Sequence, residues 1–298
     1  MLEKFISLVA AMEPQGKLLQ VQPLTGGVSA ETTALTIQDS KGQIIKLVVR
    51  CHGQRDLERN PHIASDEFRL LNYLYSAGLP VPRPHFVDQG GMYLSRPCLV
   101  CSYIPGSTLT TPSSLPSYLK QMADTLACIH RLSIGKLGFL PQQEEHIAAW
   151  LSQPIEPLGN GLADEGRLIL QATWPWKQNN SSVLLHGDYW PGNILWQNER
   201  LVGVVDWEDA SLGDPLADLA STRLELLWAF GQQAMEQFTA LYSLAHPLDT
   251  GNLAYYDLFA ALEVAPKIEN WGLAAATRRA MEDKLYSFAA AALAVITS

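Results

Sequence analysis

The sequence predicts an α+β fold made of two lobes, and a contrast along the chain supports this prediction. β-type runs separated by turn residues dominate residues 1–103, with one long helical stretch among them. Helical patterns dominate residues 104–298 and are interrupted by one hairpin. The length of 298 residues suits one large domain or two lobes of ordinary size. We therefore predict an N-terminal lobe over residues 1–103 and a C-terminal lobe over residues 104–298.

The N-terminal lobe is predicted to contain a five-stranded antiparallel sheet with one helix, after an opening amphipathic helix. The predicted elements are helices over residues 1–15 and 65–77 and strands over residues 18–24, 31–37, 44–50, 86–88 and 99–103. A turn with Gly26, Gly27 and Ser29 joins the first two strands. Glycine lets backbone N–H groups approach phosphate oxygens, so this turn is a candidate phosphate loop. An ordinary hairpin turn is the alternative interpretation.

The third predicted strand carries two cations that alternate with apolar residues. Leu47 and Val49 face one side of the sheet, so Lys46 and Arg50 face the other. Either cation is a candidate for binding a nucleotide phosphate. We choose Arg50, because it stands at the end of the strand.

A lobe boundary is predicted near residue 104, where Ile104 is followed by Pro and Gly. A cleft at such a boundary suits a flat nucleotide base. We expect the free backbone groups of Ser102, Tyr103 and Ile104 to pair with the edge of that base.

The C-terminal lobe is predicted to be mainly helical. Helices are predicted over residues 117–132, 147–151, 162–173, 217–229, 232–244, 253–264 and 273–295. The hairpin that interrupts them has two short β-type runs on either side of the polar turn Gln197-Asn198-Glu199-Arg200. The residues best suited to chemistry lie just before and just after this hairpin.

Three side chains around the hairpin suit phosphoryl transfer from a nucleotide to an alcohol. Asp188 and Asn193 stand five positions apart in a turn rich in Gly and Pro, and Asp206 ends the second β-type run. A carboxylate at position 188 can orient a hydroxyl group and take its proton. Mg²⁺ prefers oxygen ligands, which Asn193 and Asp206 offer. We assign His186 to bracing the turn.

Several segments of the chain resemble the motifs of a known family. The segments are His186-Gly187-Asp188-Tyr189-Trp190-Pro191-Gly192-Asn193, Val205-Asp206-Trp207-Glu208, Gly213-Asp214-Pro215-Leu216-Ala217-Asp218-Leu219-Ala220, Gly26-Gly27-x-Ser29, Val49-Arg50, Glu67 and Pro80-Val81-Pro82. Together they resemble the aminoglycoside phosphotransferase and choline kinase-like family, a branch of the protein-kinase-like fold. The resemblance covers nearly the whole chain and is most specific over residues 184–220. It implies a bilobal protein-kinase-like fold.

The resemblance also implies a role for each matching residue. Asp188 is then the catalytic aspartate, and Asn193 and Asp206 hold Mg²⁺. Arg50 and Glu67 form an ion pair that reaches the α- and β-phosphates of ATP or GTP. The chain departs from the kinase pattern here, because the strand cation is Arg rather than Lys and the two are not equivalent. The D-F-G and A-P-E elements are absent, which favours a small-molecule acceptor over a protein.

The acceptor is left open by the sequence. An acidic, partly aromatic pocket that takes an amine-bearing acceptor is one interpretation of Glu208 and Asp209 together with Glu225, Glu263, Glu269 and Trp271. Ordinary solvated faces are the alternative for each of them. We assign Asp214 and Asp218 to capping and bracing the helix that follows the motif and the catalytic loop, with contact to substrate as the alternative.

These observations together predict an Mg²⁺-dependent kinase of a small hydroxylated molecule. The expected acceptor is an aminoglycoside-like compound, an amino alcohol or a sugar. A nucleotide-binding scaffold of the same fold with little or no turnover is the alternative.

The composition limits the partners. Hydrophobic residues make up 47% of the sequence, which supports a packed core, and the net charge of -9 argues against nucleic acid. No apolar run approaches the ~18 residues of a membrane span, so we expect no membrane partner. Cys98 and Cys101 form a lone C-x-x-C in a predicted strand, where positions three apart face opposite sides. We interpret the cysteines as buried thiols of a cytoplasmic protein. The sequence carries no signal for an oligomeric state.

Overall fold

The chain divides into two compact units. The computed structural model describes residues 2–24, 30–109, 111–154 and 161–298. The first unit consists of Met1–Ser107 and Val202–Glu208, and the second consists of Thr108–Leu201 and Asp209–Ser298. The short segment Val202–Glu208 is therefore part of the first unit, although most of the chain around it belongs to the second.

The first unit is built on one antiparallel sheet. Its elements are α1 (Leu2–Met12), β1 (Lys17–Pro23), β2 (Ala30–Gln38), β3 (Ile44–His52), α2 (Gln54–Arg59), α3 (Ile63–Ser76), β4 (Pro84–Asp88) and β5 (Cys98–Ser102). The strand order is β1-β2-β3-β5-β4, and every neighbouring pair is antiparallel. The predicted five-stranded antiparallel sheet is confirmed.

Alternation along β3 builds the core of this unit. Leu47 and Val49 point into a cluster of buried apolar side chains, which also includes Phe5 and Leu8 of α1. Successive side chains of a strand face opposite sides, so Arg50 emerges on the other face. The hydrophobic face of β3 thus fixes the direction in which the cation points.

Two local features of the first unit differ from the prediction. The long helix α3 begins at Ile63 rather than at residue 65. His62 is the N-cap residue, and the Ser65 hydroxyl donates to the His62 carbonyl over 2.9 Å. The helix α2 was not predicted, because five of its six residues are polar and none of the six is buried. A segment without an apolar stripe carries no periodic signal.

The second unit is mainly helical. The elements that follow α3 and β5 in the chain are α4 (Leu115–His130), α5 (Gln143–Ser152), α6 (Gly161–Thr173), β6 (Val183–Leu185), β7 (Ile194–Gln197), β8 (Arg200–Val204), β9 (Ser211–Gly213), α7 (Leu216–Phe230), α8 (Gln232–Ala245), α9 (Leu253–Val264) and α10 (Ala275–Ile296). Short 3₁₀ turns cover Pro191–Asn193 and Ala265–Trp271. Among the described residues, no helix has the length and apolar character needed to cross a membrane.

Two small sheets frame the motif of the second unit. The predicted hairpin is formed by β7 and β8, and the boundary between the two units falls within β8. A second pair, β6 with β9, was not predicted and aligns Val183 with Gly213 and Leu185 with Ser211. This pairing fixes both ends of the chain segment that carries the candidate site.

Candidate active site

One buried carboxylate, that of Asp218, holds the turn that follows β6. Asp218 of α7 is 1% exposed, and its two oxygens accept the amides of His186 over 2.7 Å and of Gly187 over 2.9 Å. The ring of His130 lies 3.0 Å from the same carboxylate. Burial opposes ionisation, but the His130 contact and the donated amides outweigh it and lower the pKa of Asp218. Asp218 therefore braces the turn as a charged acceptor.

Gly187 is required by the shape of this turn. Its φ is +83°, a conformation that residues with a Cβ rarely adopt, and a Cβ at this position would lie 2.2 Å from the Asp209 carbonyl oxygen. The backbones at positions 187 and 209 therefore approach each other at a distance that only glycine permits. This contact places the start of the turn against the segment that follows β8.

Asp188 and Asn193 are in direct contact. The Asn193 amide nitrogen donates to the Asp188 carboxylate over 2.7 Å and to the Asp188 carbonyl oxygen over 2.9 Å. The Asp188 amide in turn donates to Nδ1 of His186 over 3.2 Å. Because the nitrogen of the Asn193 amide is bound within the turn, its oxygen is the atom turned away from these contacts. His186 braces the turn, as its assignment predicted.

A further carboxyl group lies near Asp188 in the second unit. Burial, and then the charge of Asp188, raise the pKa of Glu225 to about 8. Glu225 stands seven residues after Asp218 on α7, which is about two turns and therefore the same face of the helix. Glu225 is one of the residues proposed from the sequence for an acidic acceptor pocket, while its proximity to Asp188 was not predicted.

In the first unit, Arg50 joins three acidic side chains. Its Nη2 lies 2.5 Å from Asp206 Oδ1, it also pairs with Glu208, and its Nε lies 3.6 Å from Glu67 Oε2. Burial disfavours the charged guanidinium, but the three carboxylates outweigh it and raise the pKa of Arg50 above its ordinary value. The pKa of Glu67 is lowered, because Arg50 and His52 offset the effect of burial.

Lys46, the other cation of β3, lies apart from this acidic group. Its Nζ is 5.4 Å from the centre of the Tyr103 ring, a cation–π arrangement. Asp206 also has an unusual backbone, with a φ of +69°. Non-glycine residues pay a conformational cost there, and such residues cluster at functional sites. Arg50, rather than Lys46, is the cation that contacts Asp206.

The structure corrects two expectations about the site. The amides of Ser102 and Tyr103 already donate, to Arg83 over 2.8 Å and to Lys46 over 3.1 Å, so these N–H groups are not free for a nucleotide base. Glu208 was expected near an acceptor, but its carboxylate pairs with Arg50.

The remaining predicted residues are placed as follows. Asp209 is exposed, while Trp271 is 41% exposed and packs edge-on against Trp228. Asp214 accepts the Leu216 amide at the start of α7 over 2.9 Å, in agreement with its capping assignment. Ile104 is half-buried. Gly26, Gly27 and Ser29 lie outside the described residues.

A family model described as the phosphotransferase enzyme family matches residues 20–263. The chain belongs to this family. The resemblance stated from the motifs is thereby confirmed. Membership assigns a broad class of group-transfer protein and leaves the acceptor open.

Individual relatives are more distant. Acyl-CoA dehydrogenase family member 11 of Rattus norvegicus is 24% identical over 235 residues, which cover 67% of this chain and 30% of that protein. The homoserine kinase of Phenylobacterium zucineum is 24% identical over 202 residues, covering 62% of this chain and 59% of that protein. This chain therefore spans less than a third of the rat protein.

Solved structures share the fold along the whole chain. A putative aminoglycoside phosphotransferase from Ralstonia eutropha superposes with a TM-score of 0.70 at 16% identity, covering 100% of this chain and 98% of that chain. An amicoumacin kinase solved with AMP-PNP, Ca²⁺ and Ami superposes with a TM-score of 0.66 at 13% identity, covering 96% of this chain and 92% of that chain. The predicted α+β, bilobal protein-kinase-like fold class is confirmed.

Proposed function

We propose that the chain is a small-molecule kinase that transfers the γ-phosphoryl group of ATP or GTP to a hydroxyl group. The observation that supports this best is the Asp188–Asn193 contact, since it fixes a carboxylate and an amide oxygen in one buttressed turn. Family membership and the nucleotide bound by the similar amicoumacin kinase support the same proposal. We propose the cytoplasm as its location, because all four cysteines are free thiols.

Asp188 acts on the acceptor in this proposal. Its carboxylate accepts a hydrogen bond from the acceptor hydroxyl and takes the proton as the oxygen bonds to the γ-phosphorus. The bond between the γ-phosphorus and the oxygen that bridges it to the β-phosphate breaks, and the nucleoside diphosphate leaves with that oxygen. Asn193 holds the Asp188 carboxylate in place, so its amide nitrogen limits the rotation of the base.

Asn193 and Asp206 are the residues that would hold a divalent cation. The donor set fits Mg²⁺, which prefers amide and carboxylate oxygens, and the left-handed backbone of Asp206 is an outlier of the kind found at functional sites. Bound there, Mg²⁺ would neutralise charge on the phosphates. Arg50 would bind the α- and β-phosphates, with Glu67 orienting its guanidinium.

The phosphate loop and the base site stay proposals. We place Gly26, Gly27 and Ser29 at the phosphates on the strength of the motif. For the base, Ile104 and the carbonyl groups of Ser102 and Tyr103 replace the two amides that already donate within the sheet.

For the acceptor, we propose an amine-bearing alcohol or sugar. Glu225 supports this choice, because burial and then the charge of Asp188 raise its pKa, and a cationic group beside Asp188 would offset both effects. Asp209 and Trp271 remain candidates for the outer part of the acceptor site.

Replacement of Asp188 by Asn tests the catalytic assignment. We expect Asp188→Asn to reduce transfer by about 10²–10⁴-fold, the usual contribution of a positioned base, while nucleotide affinity changes little. The measurement is diphosphate release with Mg²⁺ and a panel of amino alcohols, aminoglycosides and sugars, alongside calorimetric nucleotide binding. The matched control is Asp124→Asn, an exposed carboxylate on α4. Equal loss of nucleotide binding and turnover would contradict the assignment. If the unaltered chain binds nucleotide but transfers phosphate to no acceptor of the panel, the nucleotide-binding scaffold with little or no turnover is favoured instead.

A further inference from the structure

A group of side chains that could hold a metal ion lies in the first unit, next to Arg50 and distinct from the pair Asn193 and Asp206. His52 ends β3, Asp56 lies in α2, and Glu208 closes the segment after β8. A ring nitrogen of His52 and one carboxylate oxygen from each of the other two all lie within 4.8 Å of one another. We propose that these three residues form a binding site for a divalent transition-metal ion such as Zn²⁺ or Mn²⁺.

The burial of His52 is evidence for a bound ion that does not depend on the clustering of the three side chains. His52 is fully buried at 0% exposure, and its Nδ1 has no hydrogen-bond partner among the residues that the structure describes. A buried polar atom without a partner costs about 1–3 kcal/mol, so such atoms are rare in folded proteins. An ion bound to the ring would satisfy this histidine.

The surroundings of His52 match those of a metal-bound histidine. Its Nε2 lies 3.2 Å from Glu67 Oε2, which is close enough for an electrostatic contact. Metal-binding histidines usually direct one ring nitrogen at a carboxylate, which fixes the ring and strengthens the other nitrogen as a donor. Here Glu67 would fix the ring through Nε2, and Nδ1 would bind the ion.

The charge balance of the region favours a cation. Arg50 already pairs with three carboxylates, those of Glu67, Asp206 and Glu208. Asp56 adds a fourth carboxylate within reach of Glu208. Arg50 is shared among three carboxylates in a partly buried region, and a divalent cation bound by Glu208 and Asp56 would offset part of this negative charge.

The donor set selects the class of ion. One imidazole nitrogen and two carboxylate oxygens suit Zn²⁺, Mn²⁺ or another first-row transition metal. Mg²⁺ is bound mainly by oxygens and is therefore a poorer match. The ion would tie α2 to the end of β3 and to Glu208, so its binding would add to the stability of the first unit.

The test is a titration of the full chain, freed of metal by chelation and without nucleotide. We expect one Co²⁺ per chain with a visible absorption band that reports nitrogen and oxygen ligands, and displacement of that band by Zn²⁺. His52→Gln and Asp56→Asn should each weaken binding by at least about tenfold. The Asn side chain can still accept the Gly53 amide that Asp56 accepts over 3.2 Å, so this variant keeps the local cap.

Two controls separate the site from other sources of binding. Glu58→Gln removes an exposed carboxylate of the same helix and should leave Co²⁺ affinity unchanged. Asn193→Ala removes a proposed ligand of the transfer site and should also leave it unchanged. If Asn193→Ala abolishes binding while Asp56→Asn does not, the ion occupies the transfer site and the proposal is wrong.

Thermal unfolding gives a second measurement that does not depend on activity. Zn²⁺ should raise the unfolding temperature of the unaltered chain and of Glu58→Gln, and it should not raise that of Asp56→Asn. If His52→Gln fails to fold, Asp56→Asn decides the question. Equal Co²⁺ affinity and equal Zn²⁺ stabilisation in Asp56→Asn and Glu58→Gln would overturn the proposal.

Discussion

The buried carboxylate of Asp218 is predicted to hold the catalytic turn together. Asp218 is 1% exposed and accepts the amides of His186 and Gly187, with the His130 ring 3.0 Å away. Alanine at this position leaves these donors buried without an acceptor. Each such donor costs about 1–3 kcal/mol, and removal of one partner of a buried charged pair costs about 3–5 kcal/mol in all. We expect Asp218→Ala to lower the free energy of unfolding by about 3–5 kcal/mol.

A conservative variant and a surface variant calibrate this value. Asp218→Asn keeps one acceptor oxygen but replaces the other with an NH₂ group, which faces an amide that itself donates. We therefore expect the free energy of unfolding to fall by an intermediate amount of about 2–3 kcal/mol. The control is Asp124→Ala on α4, where the carboxylate is 49% exposed and pairs with Lys120 over 2.7 Å. Exposed helix pairs of this kind contribute about 0.3–0.5 kcal/mol.

Urea unfolding followed by tryptophan fluorescence gives the three free energies, and the m-values show whether the transitions are comparable. Because the folded pKa of Asp218 is lowered, its charge stabilises the fold above the ordinary aspartate range. That contribution is lost as the pH falls through the folded pKa. The gap between the unaltered chain and Asp218→Ala should therefore shrink in acid. Unfolding of Asp218→Ala at the same urea concentration as Asp124→Ala would refute the reasoning.

Two further predictions concern the surroundings of Asp218. Gly187→Ala places a methyl group 2.2 Å from the Asp209 carbonyl oxygen, so its unfolding free energy should fall by more than the about 1–2 kcal/mol of a left-handed residue alone. Gly272→Ala, with φ +67° in the left-handed region and no neighbour within 4 Å, is the control that carries only this backbone cost. The pKa of Glu225 is raised from 4.5 to about 8 in the folded chain. Between these two pH values the folded chain keeps a proton that the unfolded chain has released, so the free energy of unfolding should fall as the pH rises through this range. Glu225→Gln should weaken this decline in urea unfolding at pH 5 and pH 8, and parallel curves would contradict the assignment.

Elements with a strong period were predictable from the sequence, and short elements without one were not. The alternation of Leu47 and Val49 with charged residues located β3, and the helical stripe containing Leu119 and Met122 located α4. The pairing of β6 with β9 joins strands of three residues each, which are too short to show a period. It depends on contacts between distant parts of the chain, which a local pattern does not contain.

The site was predictable where a motif fixed both residue type and spacing. Asp188 and Asn193 were found in this way, and the turn brings their side chains into contact. Glu208 was misjudged, because its proximity to Asp206 in the chain was taken to extend the site outward toward the acceptor. Both carboxylates reach Arg50 in a segment where Asp206 has a left-handed backbone rather than an extended one. The pairing of Glu208 with Arg50 therefore depends on a local backbone conformation that the spacing of the motif does not show.

The geometry of Arg50 explains why this chain can use arginine at the strand position where the kinase pattern has lysine. The guanidinium meets its acidic partners through different nitrogens, with Nε toward Glu67 and Nη2 toward Asp206 and Glu208. A planar fork can serve carboxylates on two sides at once, whereas an ammonium group is a single point charge at the end of a flexible chain. Glu208 is thus the third carboxylate of this group, and a lysine would be drawn to one side of it. Arginine at position 50 and glutamate at position 208 therefore depend on each other, because the guanidinium contacts Glu208 while it also contacts Glu67 and Asp206.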